Sequence, residues 1–320
     1  MSHNKHLAGE QKLTPNQKFF VNLTPEQRYE ELKKIHPGVH TVKLFDPATC
    51  CKLEEKVEKV KSNALAGKYK RFTFDKAPLR NKYFFGEGYT YGSQLEKKGE
   101  GSERLFPEGT IDPIPKWIYK YIIAPLEEKQ LVPKDWINSA VINDYLPGGC
   151  IVSHVDPIHI FDRPIVSISL FSDCALSFGC KFSFRPIRTS KPLLSVPLRS
   201  GCACVMSGYA ADEVTHCIRP EDVLERRVAI IVRRVFPDAP RLTTEQFDNL
   251  CNKLDRQVVH RNKFLQSDES CNSRFVSSCD SVKGAKRTFD NRDNTKCFDD
   301  SNLSKYEGQC NDDKVKCAKF

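Results

Sequence analysis

Residues 141–171 read VINDYLPGGCIVSHVDPIHIFDRPIVSISLF, and this stretch indicates the fold class. Its short runs rich in Val and Ile are separated by Pro, Gly and Asp, which interrupt strands and form turns. The pattern continues in KFSFRPI (181–187), LLSVPL (193–198), CACVMS (202–207) and RRVAIIVRRV (226–235). Closely spaced strands without helical periods between them predict an antiparallel sandwich or barrel, not a parallel α/β sheet.

Helical signals precede these strands. A capping box from Thr24 to Gln27, with Pro at the first helical position, predicts a helix that runs to about Ile35. Further helices are predicted for residues 46–67 and 115–129. Because helices come first and strands follow without alternation, we predict an α+β, mainly β protein. Its core would be a double-stranded β-helix, or jelly roll, with N-terminal supporting helices.

Composition divides the chain into three parts. Residues 1–38 are a polar, partly helical extension, and residues 39–242 carry the periodic apolar pattern of a folded domain. Residues 243–320 are polar with sparse apolar positions, which predicts a disordered tail.

The charge of the chain is concentrated in the predicted domain. The net charge is +9, and the tail from Thr243 contains 14 Lys and Arg against 13 Asp and Glu, which leaves +8 for the rest. A basic folded part favours a polyanionic partner.

Neither a membrane nor a zinc module is indicated. No stretch approaches the roughly 18 consecutive apolar residues of a membrane span, and the N-terminus lacks the apolar region of a secretory signal. We therefore expect a soluble intracellular protein. Its 14 cysteines include no C-x-x-C spacing, so free thiols are expected in a reducing compartment.

A metal site is indicated by the triplet His154-Val155-Asp156 on a predicted strand. Side chains alternate along a strand, so the imidazole and the carboxylate share one face. His216, in the strand-like segment DEVTHCI, supplies a third ligand, while His159 is an alternative in a predicted loop. Two histidines and one carboxylate form the facial triad that binds non-haem iron(II) and leaves coordination positions open. H-x-D alone also occurs by chance in surface turns.

Polar residues on neighbouring predicted strands suit a dicarboxylate. Arg227 and Arg233 bracket the run VAIIV and face the same side, and Arg227 follows His216 by eleven residues. A guanidinium can hold a carboxylate through two hydrogen bonds, which lysine cannot reproduce. Asn143 and Tyr145 share a face and can donate to the other end of such a ligand. Taken one by one, each is equally well an ordinary polar group of a strand.

Three segments together resemble the AlkB family of nucleic-acid dealkylases. They are NDYLPGGCIVSHVDPIHIF (143–161), SGYAADEVTHCIRP (207–220) and RRVAIIVRR (226–234). Within that family they resemble the branch that removes the methyl group of N6-methyladenosine in RNA. The segment APLRNKYFFGEGYTYG (77–92) fits the same branch, and the similarity spans about residues 39–242.

The resemblance assigns residues to roles. It places iron(II) at His154, Asp156 and His216. It assigns the co-substrate 2-oxoglutarate to Arg227, with support from Arg233, Asn143 and Tyr145. It makes Lys82, Tyr89 and Tyr91 part of a nucleotide-recognition lid and makes Arg80 a contact to the RNA backbone.

The resemblance also implies a reaction and a setting. The enzyme would use iron(II), 2-oxoglutarate and O2 to demethylate N6-methyladenosine in single-stranded RNA, most of all mRNA, releasing formaldehyde, succinate and CO2. The methylated base must leave its stack, which costs less in a single strand, and aromatic side chains can then stack on it. A monomeric catalytic domain, a nuclear location with the cytoplasm as a second site, and a disulfide between Cys180 and Cys217 are further implications.

Two other functions fit parts of the pattern. A protein side-chain hydroxylase would use the same double-stranded β-helix, but the basic domain and the lid segment argue against it. A non-catalytic RNA-binding module would have lost metal ligands, whereas His154, Asp156, His216 and Arg227 are all present. Turnover of 2-oxoglutarate separates the module from the two enzymes.

Overall fold

The computed structural model describes residues 18–91, 94–95, 101–184 and 187–256. The first 17 residues and most of the predicted tail therefore lie outside the described part of the chain. Within the described ranges, no helix is both long and apolar enough to span a bilayer.

The described residues form antiparallel strands that belong to three sheets. In chain order the strands are β1 (Val39–Lys43), β2 (Phe74–Ala77), β3 (Arg80–Phe85), β4 (Ser139–Tyr145), β5 (Ile151–His154), β6 (Ile165–Leu170), β7 (Cys174–Phe178), β8 (Phe182–Phe184), β9 (Ile187–Thr189), β10 (Leu194–Leu198), β11 (Cys202–Met206), β12 (His216–Ile218) and β13 (Arg227–Arg233). The large sheet has the order β1-β11-β6-β13-β4-β3-β2, the smaller one β10-β7-β12-β5, and β8 pairs with β9.

The two main sheets share one apolar core. Tyr145 and Ile165 of the large sheet pack with Phe178, Leu198 and Ile218 of the smaller sheet. All seven residues of β4 and all six of β6 are buried, because the large sheet is covered on both faces. The protein is therefore mainly β, with the double-sheet arrangement that the strand pattern predicts.

The first two helices pack on different apolar clusters, the first on the core between the sheets and the second on the outer face of the large sheet. Helix α1 (Pro25–Ile35) begins at the predicted capping box, in which the Thr24 hydroxyl accepts from the Gln27 amide at 3.2 Å. Helix α2 (Pro47–Leu65) lays Leu53, Val57 and Val60 on the sheet. Fully burying each such side chain contributes about 1.5–3 kcal/mol, which anchors α2 against the sheet.

The third predicted helix is interrupted. It consists of α3 (Lys116–Ile118), a π-helical turn (Tyr119–Ile123) and α4 (Ala124–Glu128). Pro125 has no amide hydrogen to donate to the carbonyl four residues earlier, and the Ala124 amide instead donates to the Tyr119 carbonyl, five residues back. A short helix, α5 (Gly208–Asp212), precedes β12.

Two parts of the fold differ from the prediction. Strands β1 to β3 extend the large sheet with residues from before position 140, where no strands were predicted. Residues 244–256 form a helix, so the predicted start of the disordered tail at residue 243 is wrong for this stretch. The helix has its own capping box, Thr243 with Gln246, and buries Leu250. Its few apolar residues suffice because they share one face of the helix.

Candidate metal centre and nucleotide pocket

Two paired strands of the smaller sheet bring the predicted metal ligands together. His154 on β5 and His216 on β12 are direct partners in the antiparallel register, and Asp156 follows β5. The His216 Nε2 lies 3.6 Å from the Asp156 Oδ2, and the two imidazole rings have centroids 4.5 Å apart. One ligand atom of each residue lies within 4.8 Å of the others, so a single ion can contact all three.

Hydrogen bonding orients the first of these ligands. The His154 Nδ1 lies 2.8 Å from the Val152 carbonyl oxygen and donates to it in the tautomer that leaves Nε2 free. The predicted competitor His159 instead has its Nε2 3.1 Å from the Glu103 carbonyl oxygen and is absent from the ligand cluster. The geometry therefore selects His216 as the third ligand.

The protonation states of the triad suit a metal. Burial raises the pKa of Asp156, but the charge of Arg233 and the two histidines outweigh it and bring that pKa down to about 2. Burial, then the neighbouring His154, lowers the pKa of His216 to about 3, and burial also lowers the pKa of His154. At neutral pH the site thus presents a carboxylate and two neutral imidazoles, the forms that bind cations. This donor set fits iron(II).

Arg227 has unused donors in the same cavity. Its side chain is buried, and its Nη2 donates to the Ser169 hydroxyl at 3.1 Å. The Arg227 Nε and Nη1 have no protein partner in the described ranges, and the same holds for the side-chain oxygen of Asn143. Leaving a buried donor unpaired costs about 1–3 kcal/mol, so the site is built for a ligand that accepts hydrogen bonds. A carboxylate of 2-oxoglutarate meets that requirement.

The register of β13 with β4 explains this grouping. Arg227 pairs with Tyr145, and Ala229 pairs with Asn143. The Arg227 guanidinium lies 5.4 Å from the Tyr145 ring centroid. Asn143 and Tyr145 therefore line the cavity beside Arg227, as their shared strand face predicts.

Arg233 lies at the other end of the cavity. Its Nη1 donates to the Asp156 Oδ1 at 2.8 Å, and its guanidinium lies 3.5 Å from the centroid of the Phe161 ring. Six residues of strand separate Arg233 from Arg227, about 20 Å at the usual rise per residue. Arg233 therefore holds a metal ligand in place, and its predicted support of 2-oxoglutarate stays a prediction.

The predicted lid residues lie beside the metal centre. The Lys82 ammonium is buried and lies 4.1 Å from the centroid of the Tyr91 ring. Burial, followed by the nearby charge of Arg80, lowers the pKa of Lys82 to about 7. The Tyr89 ring packs edge-on against Phe161 with centroids 5.1 Å apart. Lys82 and Tyr89 line the same cavity as the triad and Arg227.

Backbone constraints place the lid. Gly86 has a φ of +78°, and a Cβ there would meet the Asn138 carbonyl oxygen at 2.3 Å, so only glycine fits this turn.

Arg80, at the start of β3, donates from its Nη1 to the Cys150 carbonyl at 2.9 Å. Arg80 is thus partly engaged within the protein, and its contact to RNA stays a prediction.

Three residues of the site were not singled out from the sequence. Asp75 accepts a short hydrogen bond from the Tyr91 hydroxyl, and Phe161 supports both Arg233 and Tyr89. Arg163 donates from its Nη2 to the Asp156 carbonyl oxygen at 2.9 Å. Asp75 had a signal, because the hairpin around Pro78 and Leu79 places it directly opposite Lys82. The other two depend on long-range packing.

The two cysteines next to the metal centre are close but not bonded. The Cys180 and Cys217 sulfurs lie 3.2 Å apart, against about 2.05 Å in a disulfide. Both are free thiols, as are the other cysteines in the described ranges. The predicted disulfide is therefore not present in this structure.

Comparisons with known proteins agree with this geometry. Residues 49–233, which include the triad and both arginines of β13, match the model of the 2OG-Fe(II) oxygenase superfamily. The chain is 50% identical over 275 residues to the RNA demethylase ALKBH5 of Rattus norvegicus, covering 78% of this chain and 70% of the relative.

Two further relatives have related names. The RNA demethylase ALKBH5 of Xenopus laevis is 49% identical over 272 residues, covering 79% of this chain and 76% of the relative. The RNA demethylase ALKBH9B of Arabidopsis thaliana is 26% identical over 209 residues, covering 63% and 39%. The similarity to the two ALKBH5 relatives thus extends over more than three quarters of the chain.

Proposed function

The chain belongs to the 2OG-Fe(II) oxygenase superfamily, and on that premise we propose that it is an RNA demethylase acting on N6-methyladenosine in single strands. One observation carries the proposal. A single cavity is lined by the triad, by the partly unpaired Arg227, and by Lys82 and Tyr89 of the lid. The cavity thus combines side chains suited to a metal, a co-substrate and a base, and relatives that share about half the sequence are named RNA demethylases.

The residues of the triad are suited to hold the metal. His154, Asp156 and His216 would bind iron(II), which with 2-oxoglutarate and O2 supplies the oxidising chemistry of the superfamily. Arg233 pairs with the remaining oxygen of the Asp156 carboxylate, which keeps this ligand ionised and fixed in one orientation. Such support of a metal ligand by a neighbouring group maintains the geometry of the site.

Arg227 supplies the charge that a dicarboxylate needs. Its free Nη1 can donate to a carboxylate, and burial strengthens the interaction because the buried group is shielded from water. Binding would also satisfy donors that otherwise stay unpaired. Succinate, formaldehyde and CO2 are the products implied for the complete reaction.

The lid is suited to a base removed from its stack. Tyr89 and Tyr91 offer aromatic faces, and stacking on an aromatic side chain contributes about 1–3 kcal/mol per base. Lys82 adds a buried amine at the same end of the cavity. Extrusion from a duplex costs a few kcal/mol more than entry from a single strand, which favours single-stranded substrates.

Mass spectrometry of methylated oligonucleotides tests the proposal. The full chain, loaded with iron(II) and supplied with 2-oxoglutarate, should convert N6-methyladenosine in a single-stranded RNA to adenosine and release formaldehyde. Pairing the same oligonucleotide with its complement should slow the reaction. The His216→Ala variant is the inactive control.

The competing functions predict other results. An iron-loaded chain that consumes 2-oxoglutarate with a protein substrate, but leaves methylated RNA and DNA untouched, would contradict the proposal in favour of a protein hydroxylase. RNA binding without any 2-oxoglutarate turnover would favour the non-catalytic module.

The cellular setting is part of the proposal. We propose a monomeric enzyme that acts on mRNA in the nucleus, on the basis of its resemblance to the demethylase branch and its net charge of +9. Light scattering should give the mass of one chain, and imaging of the tagged protein should show nuclear signal. A purely cytoplasmic signal or a stable dimer would contradict the corresponding statement.

A further inference from the structure

The chain continues past the last strand of the large sheet into a segment that contacts the lid. We call residues 241–256 the C-terminal brace. Its first residues run beside Leu105: the Leu105 amide donates to the Pro240 carbonyl at 2.8 Å, and the Leu242 amide donates to the Leu105 carbonyl at 2.8 Å. Arg241 and Leu105 thus form a parallel bridge.

Leu105 connects the brace to the lid. On its other side it forms an antiparallel bridge with Tyr89. The Thr90 amide donates to the Arg104 carbonyl and the Phe106 amide to the Gly88 carbonyl, each at 2.9 Å. Three segments therefore lie side by side: the lid, the segment formed by residues 104–106, and the start of the brace.

Arg241 ties the brace to the lid through its side chain as well. Its Nη1 and Nη2 donate to the two carboxylate oxygens of Glu87 at 2.9 and 2.6 Å, and Nη1 also donates to the Phe106 carbonyl at 3.0 Å. Glu87 is the residue between the lid glycines Gly86 and Gly88. A two-point contact between Arg and a carboxylate fixes direction as well as distance.

The helix of the brace packs its apolar face on the same region. The Phe247 ring lies 5.1 Å from Phe72 and 6.0 Å from Phe106, measured between centroids. Leu250 is only 6% exposed. These residues belong to one apolar cluster with the lid tyrosines, Tyr89 and Tyr91.

The far end of the helix is also attached. The Arg71 guanidinium donates to both oxygens of Asp255, at 3.3 and 2.6 Å. Because both side chains are about half exposed, this pair contributes little by itself. The ion pair orients the helix across Phe72, and the buried apolar contacts of the helix stabilise it in that position.

The brace does not reach the metal centre. None of the residues that line the cavity of the triad and Arg227 belongs to residues 241–256 within the described chain. The brace and the lid border a separate open cavity of about 520 Å³ between Thr90, Arg104, Gln246 and Leu250. The lid therefore has space behind it, and the brace borders that space.

We propose that Arg241 and Phe247 are positioning residues that hold the lid in the conformation in which Tyr89 faces the metal centre. The inference rests on the proposed function, because the consequence of lid order is measured with RNA. A lid ordered in advance loses less conformational entropy when a base enters, which strengthens binding without any new contact to RNA. Neither residue touches the metal ligands or the co-substrate residues.

Full-length Phe247→Ala and Arg241→Gln variants test the proposal, with Phe247→Leu as the conservative variant and the exposed Asn252→Ala as the matched control on the same helix. Phe247→Ala and Arg241→Gln should each raise the KM for methylated single-stranded RNA by about tenfold, with kcat and the KM for 2-oxoglutarate changed by less than about twofold. Phe247→Leu should stay within about threefold of the parent chain, and Asn252→Ala should match it.

Hydrogen exchange gives a readout that does not need RNA. In Phe247→Ala, the amides of Thr90, Leu105 and Phe106 should exchange faster, while those of β4 and β13 should not. An unchanged KM for RNA, unchanged lid exchange, or a parallel rise in the KM for 2-oxoglutarate would overturn the proposal. If the parent chain does not demethylate RNA at all, the proposed function fails, and the exchange measurement still decides whether the brace orders the lid.

Discussion

The metal centre and the lid place their functional side chains by different means. His154 and His216 are register partners on paired strands, and Asp156 follows two residues after one of them. Tyr89 is instead held by bridges and side-chain contacts that come from residues 104–106, from Phe161 and from the brace. The first region depends on the jelly roll alone, whereas the second depends on three separate parts of the chain.

Variants in the two regions should therefore affect different properties of the enzyme. Changes in the metal centre should stop the chemistry with every substrate. Changes in the lid should alter RNA binding while the turnover of 2-oxoglutarate without RNA persists. Lid variants that also abolish 2-oxoglutarate turnover would contradict this separation of the two regions.

The largest effect is expected from removing a metal ligand. His216→Ala leaves two protein ligands, so iron should be lost and turnover should fall by about 10³-fold or more. Iron content and formaldehyde release measure both. His159→Ala is the control, because His159 lies outside the ligand cluster. Loss of iron in the control together with retention in His216→Ala would assign the third ligand to His159.

A smaller effect is expected at the co-substrate end. Arg227→Lys keeps the charge but loses the two-point contact, so the KM for 2-oxoglutarate should rise by about 10–100-fold while RNA affinity is kept. Steady-state kinetics with varied 2-oxoglutarate measure the change. Arg226→Lys is the matched control, because the Arg226 guanidinium is paired with Asp144 and Glu58. An equal rise in the KM for 2-oxoglutarate in both variants would show that Arg227 has no special role in binding it.

The buried lysine of the lid should show opposite effects on stability and activity. Because burial lowers the pKa of Lys82 from 10.5 to about 7, the folded state disfavours its charge. Lys82→Met should therefore raise the free energy of unfolding by about 1–3 kcal/mol below pH 7. The gain should shrink as pH rises from 7 towards 10.5, where the unfolded chain also loses the proton.

Urea unfolding at about pH 6.5 and about pH 9.5 measures this dependence. The same variant should demethylate RNA more slowly and still turn over 2-oxoglutarate. Lys82→Met could instead raise the free energy of unfolding less at the lower pH than at the higher pH. That result would show that the folded state does not disfavour the charged form of Lys82.

The smallest effect is expected from the hydroxyl of Tyr91. Tyr91→Phe keeps the ring beside Lys82 but leaves Asp75 without its hydroxyl donor. The KM for RNA should rise by about 2–5-fold, and the free energy of unfolding should fall by about 1 kcal/mol. Kinetics and urea unfolding measure these, with Tyr119→Phe, an exposed tyrosine, as the control. A loss of iron in Tyr91→Phe would show that the lid and the metal centre do not act independently.

The local pattern of residues is enough to predict the metal centre and the strands around it. His154 and Asp156 share a face because side chains alternate along any strand, and the structure confirms that they meet His216. The capping box at Thr24 is equally local and is present as predicted. Arg227, Asn143 and Tyr145 line one cavity because the same alternation holds on two neighbouring strands.

The way in which distant segments combine depends on tertiary packing. Arg233 is engaged by Asp156, 77 residues away along the chain, and the strand pattern contains no signal for that pairing. The sequence places the helix of the brace in a polar tail, because its few apolar residues gain stability only against Phe72 and Phe106. Local periodicity predicts the face on which a side chain lies. The partner on that face depends on the packing of the whole chain, because burial free energy is shared among residues far apart in sequence.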